Sequence, residues 1–258
     1  KGSLCMDKLT DAEGVIFPET IGGDLTLKGL TSAKGLKLPK HIKGSLCMDK
    51  LTDAEGVIFP ETIGGDLYLN RLANAKGLKL PRHIKGSLYM DKLIDAEGVI
   101  FPEIIDYSLY LEDLTSVKGL VLPENIGESL YLGNLTSAIG LVLSKTIGGD
   151  LDLSGLISAK GLNLPESIGG SIYLNNLTSS EGLVLPHIIK SDLNLESLTI
   201  VKNLILPHTI EGNLFLNSLE STEGLIVPKG FNYLYIYSNY ITMYDLKKVS
   251  ENSNVKEK

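Results

Sequence analysis

The sequence predicts an all-β-rich, right-handed solenoid of about eleven stacked coils, and three observations support this fold class. All ten prolines fall at one phase of a 21-residue repeat, and Ser144 fills the single gap. A leucine phase with the same period runs unbroken from Leu9 to Leu219. Residues 1–25 are identical to residues 43–67, which indicates duplication of two coils at once. A fixed period of this length is typical of stacked arrays, in which one coil cannot bury its apolar face alone.

Each coil is predicted to begin with a short strand. Apolar residues alternate with another class at Leu4 and Met6 and at the equivalent positions of later coils, as expected for a strand with one buried face. The inward Leu9 phase follows, and then a small residue such as Ala12. The Gly14 phase comes next, and Asn203 is its only replacement. We expect a positive φ there, because glycine and asparagine best tolerate the left-handed region.

The second half of each coil is predicted to contain another extended segment, which ends at the proline. Val15 to Pro18 represents it in the first coil, and proline ends or holds such a segment because it cannot donate a ladder hydrogen bond. The Ile21 phase fills the last inward corner, and Phe231 takes that role at the end of the array.

We expect one solenoid domain over residues 1–231, entered in mid-repeat, and a cap with a polar tail over residues 232–258. The chain around 231–240 allows two registers: one continues through Tyr235 and Tyr237, and the other slips by one onto Leu234 and Ile236. Residues 241–249 are predicted to form a short amphipathic helix over the last coil. The residues from 250 onward are expected to be frayed and solvated.

Composition argues against two classes of partner. The formal net charge is −7, and the lysines and arginines are scattered through the repeats. Nucleic-acid binding needs a basic stripe, so we expect no nucleic-acid partner. No apolar run approaches the roughly 20 residues of a membrane span, so we expect no membrane insertion.

The segment Leu-Pro-Glu-Ser-Ile-Gly-Gly-Ser-Ile-Tyr-Leu-Asn-Asn-Leu-Thr-Ser, residues 164–179, resembles the short bacterial leucine-rich repeats of secreted effector proteins. The resemblance covers nearly the whole chain. It implies protein–protein recognition through the strand face, no chemistry, and a secreted or cell-surface location rather than a cytoplasmic one. One phase departs from the family, which has Asn or Cys where this chain has Leu9 and Leu156. A curved horseshoe and a straighter, leucine-lined solenoid therefore both stay open.

The outward residue of the first strand is the best candidate for a binding surface. In successive coils this column reads Cys5, Thr26, Cys47, Tyr68, Tyr89, Tyr110, Tyr131, Asp152, Tyr173, Asn194 and Phe215. Tyrosine offers a large contact area at low entropic cost and is enriched in interfaces. We therefore expect the binding residues to be Tyr68, Tyr89, Tyr110, Tyr131, Asp152 and Tyr173. A ladder that only stabilises the sheet by stacking is the equally open alternative.

The other clusters of polar residues do not indicate a catalytic or metal-binding site. Three aspartates could share a side of the stack: Asp150, Asp152 and Asp192. Some polysaccharide-cleaving solenoids carry carboxylates arranged in this way. No Arg or Lys lies nearby at those phases, which favours the interpretation of the three as solvated turn residues. His187 and His208 lack an evident third ligand, so we expect no metal site.

The two cysteines and the glycine pairs are equally uninformative about chemistry. Cys5 and Cys47 lie two coils apart, too far for a disulfide. The Gly-Gly pairs precede no helix, so no phosphate-binding loop and no cofactor is expected.

The expected function is a non-catalytic protein–protein interaction module that binds a protein partner through the strand face. It could form the recognition region of a bacterial effector or surface protein. A carbohydrate-binding or carbohydrate-active β-solenoid and a structural spacer are the alternatives. The sequence leaves the oligomeric state open.

Overall fold

The computed structural model describes residues 2–230 and 232–252. The chain forms a parallel β-solenoid of about eleven coils, with paired positions 21 residues apart, as in Leu4 opposite Leu25. Coils of this length are consistent with a leucine-rich-repeat-like unit. We number the coils by the first-strand phase, so that Leu4 belongs to coil 1, Leu25 to coil 2 and Leu214 to coil 11. The chain divides into two compact units, Lys1–Tyr131 and Leu132–Lys258.

Unit 1 consists of two-residue strands that pair in parallel. In chain order they are β1 (Leu4–Cys5), β2 (Thr20–Ile21), β3 (Leu25–Thr26), β4 (His41–Ile42), β5 (Leu46–Cys47), β6 (Thr62–Ile63), β7 (Leu67–Tyr68), β8 (His83–Ile84), β9 (Leu88–Tyr89), β10 (Ile104–Ile105), β11 (Leu109–Tyr110), β12 (Asn125–Ile126) and β13 (Leu130–Tyr131). The odd-numbered strands form one sheet and the even-numbered strands a second. The predicted isoleucine corner is therefore itself a strand.

Unit 2 continues the same pattern and ends differently. Its elements are β14 (Thr146–Ile147), β15 (Leu151–Asp152), β16 (Ser167–Ile168), β17 (Ile172–Tyr173), β18 (Ile188–Ile189), β19 (Leu193–Asn194), β20 (Leu204–Ile205), β21 (Thr209–Phe215), β22 (Leu225–Ile226), β23 (Asn232–Tyr237) and α1 (Met243–Asn252). Strand β21 is long enough to pair with both β18 and β19. Strands β20 and β22 form a separate parallel pair.

The core lies between the two sets of strands, where the predicted inward phases are buried. The unbroken leucine phase that starts at Leu9 continues with Leu30, and we call it the Leu30 phase. It is fully buried in every coil except the first, where Leu9 is partly exposed. The residue before the proline is less regular, because Phe17 and Leu38 are only half-buried whereas Phe101 is buried. Burial of a leucine side chain contributes about 1.5–3 kcal/mol, so repetition of these phases stabilises the stack coil by coil.

The glycine turn has the predicted conformation. Glycines of the Gly14 phase have φ between 74° and 86°, and Asn203, the one replacement, has φ 54°. This phase lies where the chain turns into the second extended segment. This second extended segment forms backbone pairs with the next coil in fewer places than its sequence predicts. Examples are the bridge between Lys79 and Ile100 and the pairing of β20 with β22. The proline at its end removes a donor, which explains why ladders are short there.

The C-terminal register slips by one residue, but in the direction opposite to the predicted slip, which would have paired Leu214 with Leu234. Leu214 pairs with Ile236, 22 residues away, and the register shifts within β21 between Ile210 and Asn213. Phe231, expected to fill the final corner, lies outside the described residues.

Helix α1 packs on β22 and forms the predicted cap. Thr242 and Asp245 form a capping box at its start, in which the Thr242 N–H donates to Asp245 Oδ2 and the Asp245 N–H to Thr242 Oγ1. Leu246 is fully buried. The helix begins two residues later than the predicted 241–249 and ends at Asn252. The expectation of a frayed, solvated chain from 250 onward is wrong at Ser250, a buried helical residue whose hydroxyl donates to the Pro228 carbonyl. Of the expected polar tail, residues 253–258 lie outside the described part.

Candidate binding face

Four tyrosines of the first sheet stack ring on ring in unit 1. Tyr68, Tyr89, Tyr110 and Tyr131 occupy successive coils, and their backbones pair in register through β7, β9, β11 and β13. Neighbouring ring centroids are 4.5–4.6 Å apart with interplanar angles of 6–9°. This spacing is close to the roughly 4.8 Å between adjacent strands, so the backbone ladder itself brings the rings into face-to-face contact.

The two inner rings of the stack expose edges and hydroxyls rather than ring faces. Tyr89 has a tyrosine ring against each of its faces, and so does Tyr110. All four side chains are half-buried. The Tyr68 hydroxyl donates to Asp66 Oδ2 at 2.9 Å. Burial, together with this carboxylate, raises the pKa of Tyr68, and burial also raises the pKa of Tyr110. The Tyr68 and Tyr110 hydroxyls therefore stay protonated at neutral pH.

A ladder of side chains supports this face from the residue before each first-strand leucine. At that phase an Asp or Ser oxygen accepts the N–H of the equivalent residue in the next coil. The bonds that show it are Ser45 to Asp24, Asp66 to Ser45, Ser87 to Asp66, Ser108 to Ser87, Ser129 to Ser108, Ser171 to Asp150, Asp192 to Ser171 and Asn213 to Asp192, donor first.

This ladder was missed by the sequence reasoning, although a signal for it exists. Every residue at the phase from Ser3 to Asn213 is Ser, Asp or Asn, and no two aspartates occur in successive coils. Like charges in neighbouring coils would repel, which explains the spacing of the aspartates. The chain thus has a polar ladder, but not at the leucine phase where the resembled family would place it.

Two of the six predicted binding residues lie in unit 2 and have no ring partners. Asp152 Oδ1 accepts the N–H of Ser154 at 2.8 Å, an ordinary turn contact. Tyr173 is half-buried and pairs in register with Asp152 on one side and Asn194 on the other. The structure therefore brings Tyr68, Tyr89, Tyr110 and Tyr131 together as one stack, and Asp152 and Tyr173 do not belong to it.

The cysteines at the start of the outward first-strand column are not both exposed. Cys5 is exposed, but Cys47 is buried and its Sγ lies 3.0 Å from Asp49 Oδ2. Burial raises the pKa of the Cys47 thiol to about 12. Both cysteines are free thiols, and the raised pKa of Cys47 is the opposite of what a nucleophilic thiol requires.

The candidate aspartates have structural partners, and the two candidate histidines are joined through their backbones. Asp150 and Asp192 are ladder residues, each accepting a backbone N–H at 2.7 Å. The N–H of His208 donates to the carbonyl of His187. Across residues 2–230 and 232–252, no group of three or more His, Cys, Asp or Glu side chains is arranged to hold a metal ion.

Comparison with protein families, curated proteins and solved structures finds no match to this chain. No helix within the described residues is long and apolar enough to cross a membrane.

An acidic and amide column borders the stack two residues after the tyrosines. Asn70 Nδ2 donates to Asp49 Oδ1 at 2.9 Å. Asp91 follows in the next coil, and burial, with the nearby Asp113 carboxylate, raises its pKa. Asp113 itself accepts from Lys92 Nζ at 2.7 Å. A partner that reaches over the hydroxyl row toward this border therefore meets carboxylate and amide groups.

Proposed function

We propose that the chain is a non-catalytic protein-binding module that contacts its partner through the stack of Tyr68, Tyr89, Tyr110 and Tyr131. The stack itself carries the proposal. Ordering side chains costs free energy on binding, and rings that already pack against each other have lost most of that freedom. The face is thus preorganised before any partner arrives.

The stack favours a protein over a carbohydrate as partner. Sugar rings pack flat on aromatic faces, but both faces of Tyr89 and Tyr110 are covered by neighbouring rings. The hydroxyls and ring edges instead suit peptide carbonyls and apolar side chains, the groups that tyrosine commonly contacts in interfaces. Following the family resemblance, we propose recognition within a secreted bacterial effector or surface protein.

A phage-displayed library of random peptides, selected against the immobilised chain, tests this proposal. Enriched peptides are then measured by biolayer interferometry on the wild type and on the double variant Tyr89→Phe/Tyr110→Phe. Phenylalanine keeps the ring stack and removes two hydroxyls, so affinity should fall about tenfold without loss of folding. Tyr107→Phe is the matched control, because Tyr107 is exposed and lies outside the column.

Three outcomes would contradict the proposal. Peptides that bind the double variant as tightly as the wild type would place the contact elsewhere. A glycan array on which binding requires the tyrosines, together with no peptide enrichment, would favour the carbohydrate alternative. Failure to enrich any ligand would favour a structural spacer, in which the stack serves stability alone.

A further inference from the structure

A second face of unit 1, formed by the glycine turn and the second extended segment, carries exposed isoleucines in alternate coils. Ile16 in coil 1 is 93% exposed, Ile58 in coil 3 is 81% exposed and Ile100 in coil 5 is 57% exposed. Lys37 and Lys79 occupy the same phase in the coils between them. Since adjacent coils are about 4.8 Å apart, the isoleucines recur about every 10 Å.

Charged residues flank this column on both sides and alternate with the same two-coil period. The phase three residues before it reads Glu13, Lys34, Glu55, Lys76 and Glu97, and the phase three residues after it reads Glu19, Lys40, Glu61, Arg82 and Glu103. Each odd coil therefore presents a Glu–Ile–Glu band, and each even coil a band of three basic residues. Coil 6 begins to break the pattern with Lys118, Val121 and Glu124.

The three columns share one surface with grooves between the protruding isoleucines. Ile58, Lys79 and Ile100 line a groove of about 510 Å³ together with Glu61, Arg82 and Glu103. A neighbouring groove of about 650 Å³ lies on the other side of Ile58 and includes Glu55 and Lys76. We call this surface of coils 1–5 the banded face.

Part of the charge on the banded face is already paired within the chain, and part is not. Arg82 contacts Glu103 at 2.8 Å and Glu61 at 3.7 Å. Within the described residues, the side chains of Glu55, Lys76 and Lys79 make no ion pair. These three groups lie in coils 3 and 4, at the middle of the face, and are free to pair with groups outside the molecule.

We propose that the banded face binds the same face of a second copy of this chain, with the two stacks antiparallel. A two-fold axis along the strand direction between coils 3 and 4 keeps each column opposite itself and reverses the coil order. Coil 3 of one copy then lies over coil 4 of the other. Glu55 meets Lys76, Glu61 meets Arg82, and Ile58 enters the groove over the aliphatic stem of Lys79.

The bands also exclude the competing arrangement. A two-fold axis along the stack would place each coil over the same coil of the second copy, so that Glu bands face Glu bands and Lys bands face Lys bands. Like charges in direct opposition disfavour that pairing. The alternation thus favours antiparallel stacking about a two-fold axis, which closes the assembly at two copies, and the axis between coils 3 and 4 is the one that overlaps the whole banded face.

Unit 2 offers a natural contrast at the same phases. Val184 is 75% exposed in the isoleucine column, but its flanking residues are Glu181 and His187, and those of Ile205 are Lys202 and His208. The apolar exposure persists there without the alternating bands. The proposal therefore concerns unit 1, and unit 2 provides matched control positions.

Charge-swap variants, measured by size-exclusion chromatography with light scattering, test the dimer. The wild type should have about twice the 27.9 kDa chain mass at high concentration. Lys76→Glu/Arg82→Glu and Glu55→Lys/Glu61→Lys should each be monomeric, since each variant opposes like charges across the axis. An equimolar mixture of the two variants should recover the dimer mass. Circular dichroism verifies that both variants fold.

A second pair of variants tests the contribution of the exposed isoleucine column to the dimer. Ile58→Lys should abolish the dimer, whereas Val184→Lys, an equally exposed change at the same phase, should leave it intact. A wild type that stays monomeric at high concentration would overturn the proposal. So would dimers that persist in both charge variants, a mixture that fails to associate, or a dimer lost equally in Val184→Lys.

Discussion

The ring of Tyr89 lies flat against the ring of Tyr110, with centroids 4.5 Å apart and an interplanar angle of 9°. The two residues are 21 positions apart and directly paired in the parallel ladder. One repeat length therefore sets both the backbone pairing and the ring contact. Stability and recognition are coupled on this face, because a change to one ring alters the support of the next.

Removing a ring from inside the stack should destabilise the fold more than removing an isolated one. Tyr89→Leu loses two ring contacts, which are worth about 0.5–1.5 kcal/mol each, so we expect a loss of about 1–3 kcal/mol in urea unfolding. Tyr173 has no ring partner at its paired positions, so Tyr173→Leu should lower the free energy of unfolding by less. Tyr89→Phe should stay within about 0.5 kcal/mol of the wild-type free energy of unfolding. Equal losses for Tyr89→Leu and Tyr173→Leu would show that stacking contributes nothing.

Breaking the polar ladder at a buried position should lower the free energy of unfolding. Ser108→Ala removes the acceptor of the Ser129 N–H at a buried position, which costs about 1–3 kcal/mol. Ser158→Ala is the control, since the Ser158 hydroxyl accepts the Lys160 N–H at an exposed turn where water can replace it. Denaturant midpoints compare the two, and a control as costly as Ser108→Ala would refute the ladder's role.

Ser144→Pro should stabilise the chain. Ser144 occupies the proline phase, is buried, and its hydroxyl has no hydrogen-bond partner in the structure. Proline would remove this unsatisfied group and restrict the unfolded chain, for a gain of about 0.4–1 kcal/mol. Differential scanning calorimetry should show a higher Tm, and the reverse change Pro165→Ser should lower it. A lower Tm for Ser144→Pro would mean that the backbone at this coil differs from the others.

Asp91→Asn should stabilise the protein at neutral pH and lose that advantage in acid. Burial and the Asp113 carboxylate raise the pKa of Asp91 above its ordinary 3.8. The folded state then binds this proton more tightly than the unfolded state, so the charged form opposes folding above the folded pKa. The penalty fades as the pH falls through that pKa and is gone below 3.8.

Urea unfolding of wild type and Asp91→Asn across this pH range measures the effect. Because Asp91 is only partly buried, the gain at pH 7 should stay below about 1 kcal/mol. Asparagine fits this phase, since Asn70 and Asn175 occupy it in other coils. A difference between the two proteins that does not change with pH would rule out the charge as its cause.

Much of the scaffold could be predicted because each phase repeats. The positive φ of Asn203 followed from its place in a glycine column, and burial of the Leu30 phase followed from its unbroken identity. The ladder escaped prediction because Ser, Asp and Asn at one phase also suit an ordinary turn, and only hydrogen-bond geometry distinguishes the two. The stack was predicted as a possibility, but ring orientation depends on side-chain rotamers that a column of tyrosines does not specify.

The sequence by itself determined the coil, its 21-residue period and the identity of its inward phases, because burial and backbone conformation act on every repeat alike. The tertiary structure decided the features that depend on the distance between coils. It placed the tyrosine rings in contact, joined the serines and aspartates into a ladder, and selected the slipped register that pairs Leu214 with Ile236. A repeat fixes what one coil does, whereas contacts between coils depend on atoms 21 or 22 residues apart, whose spacing only the folded stack sets.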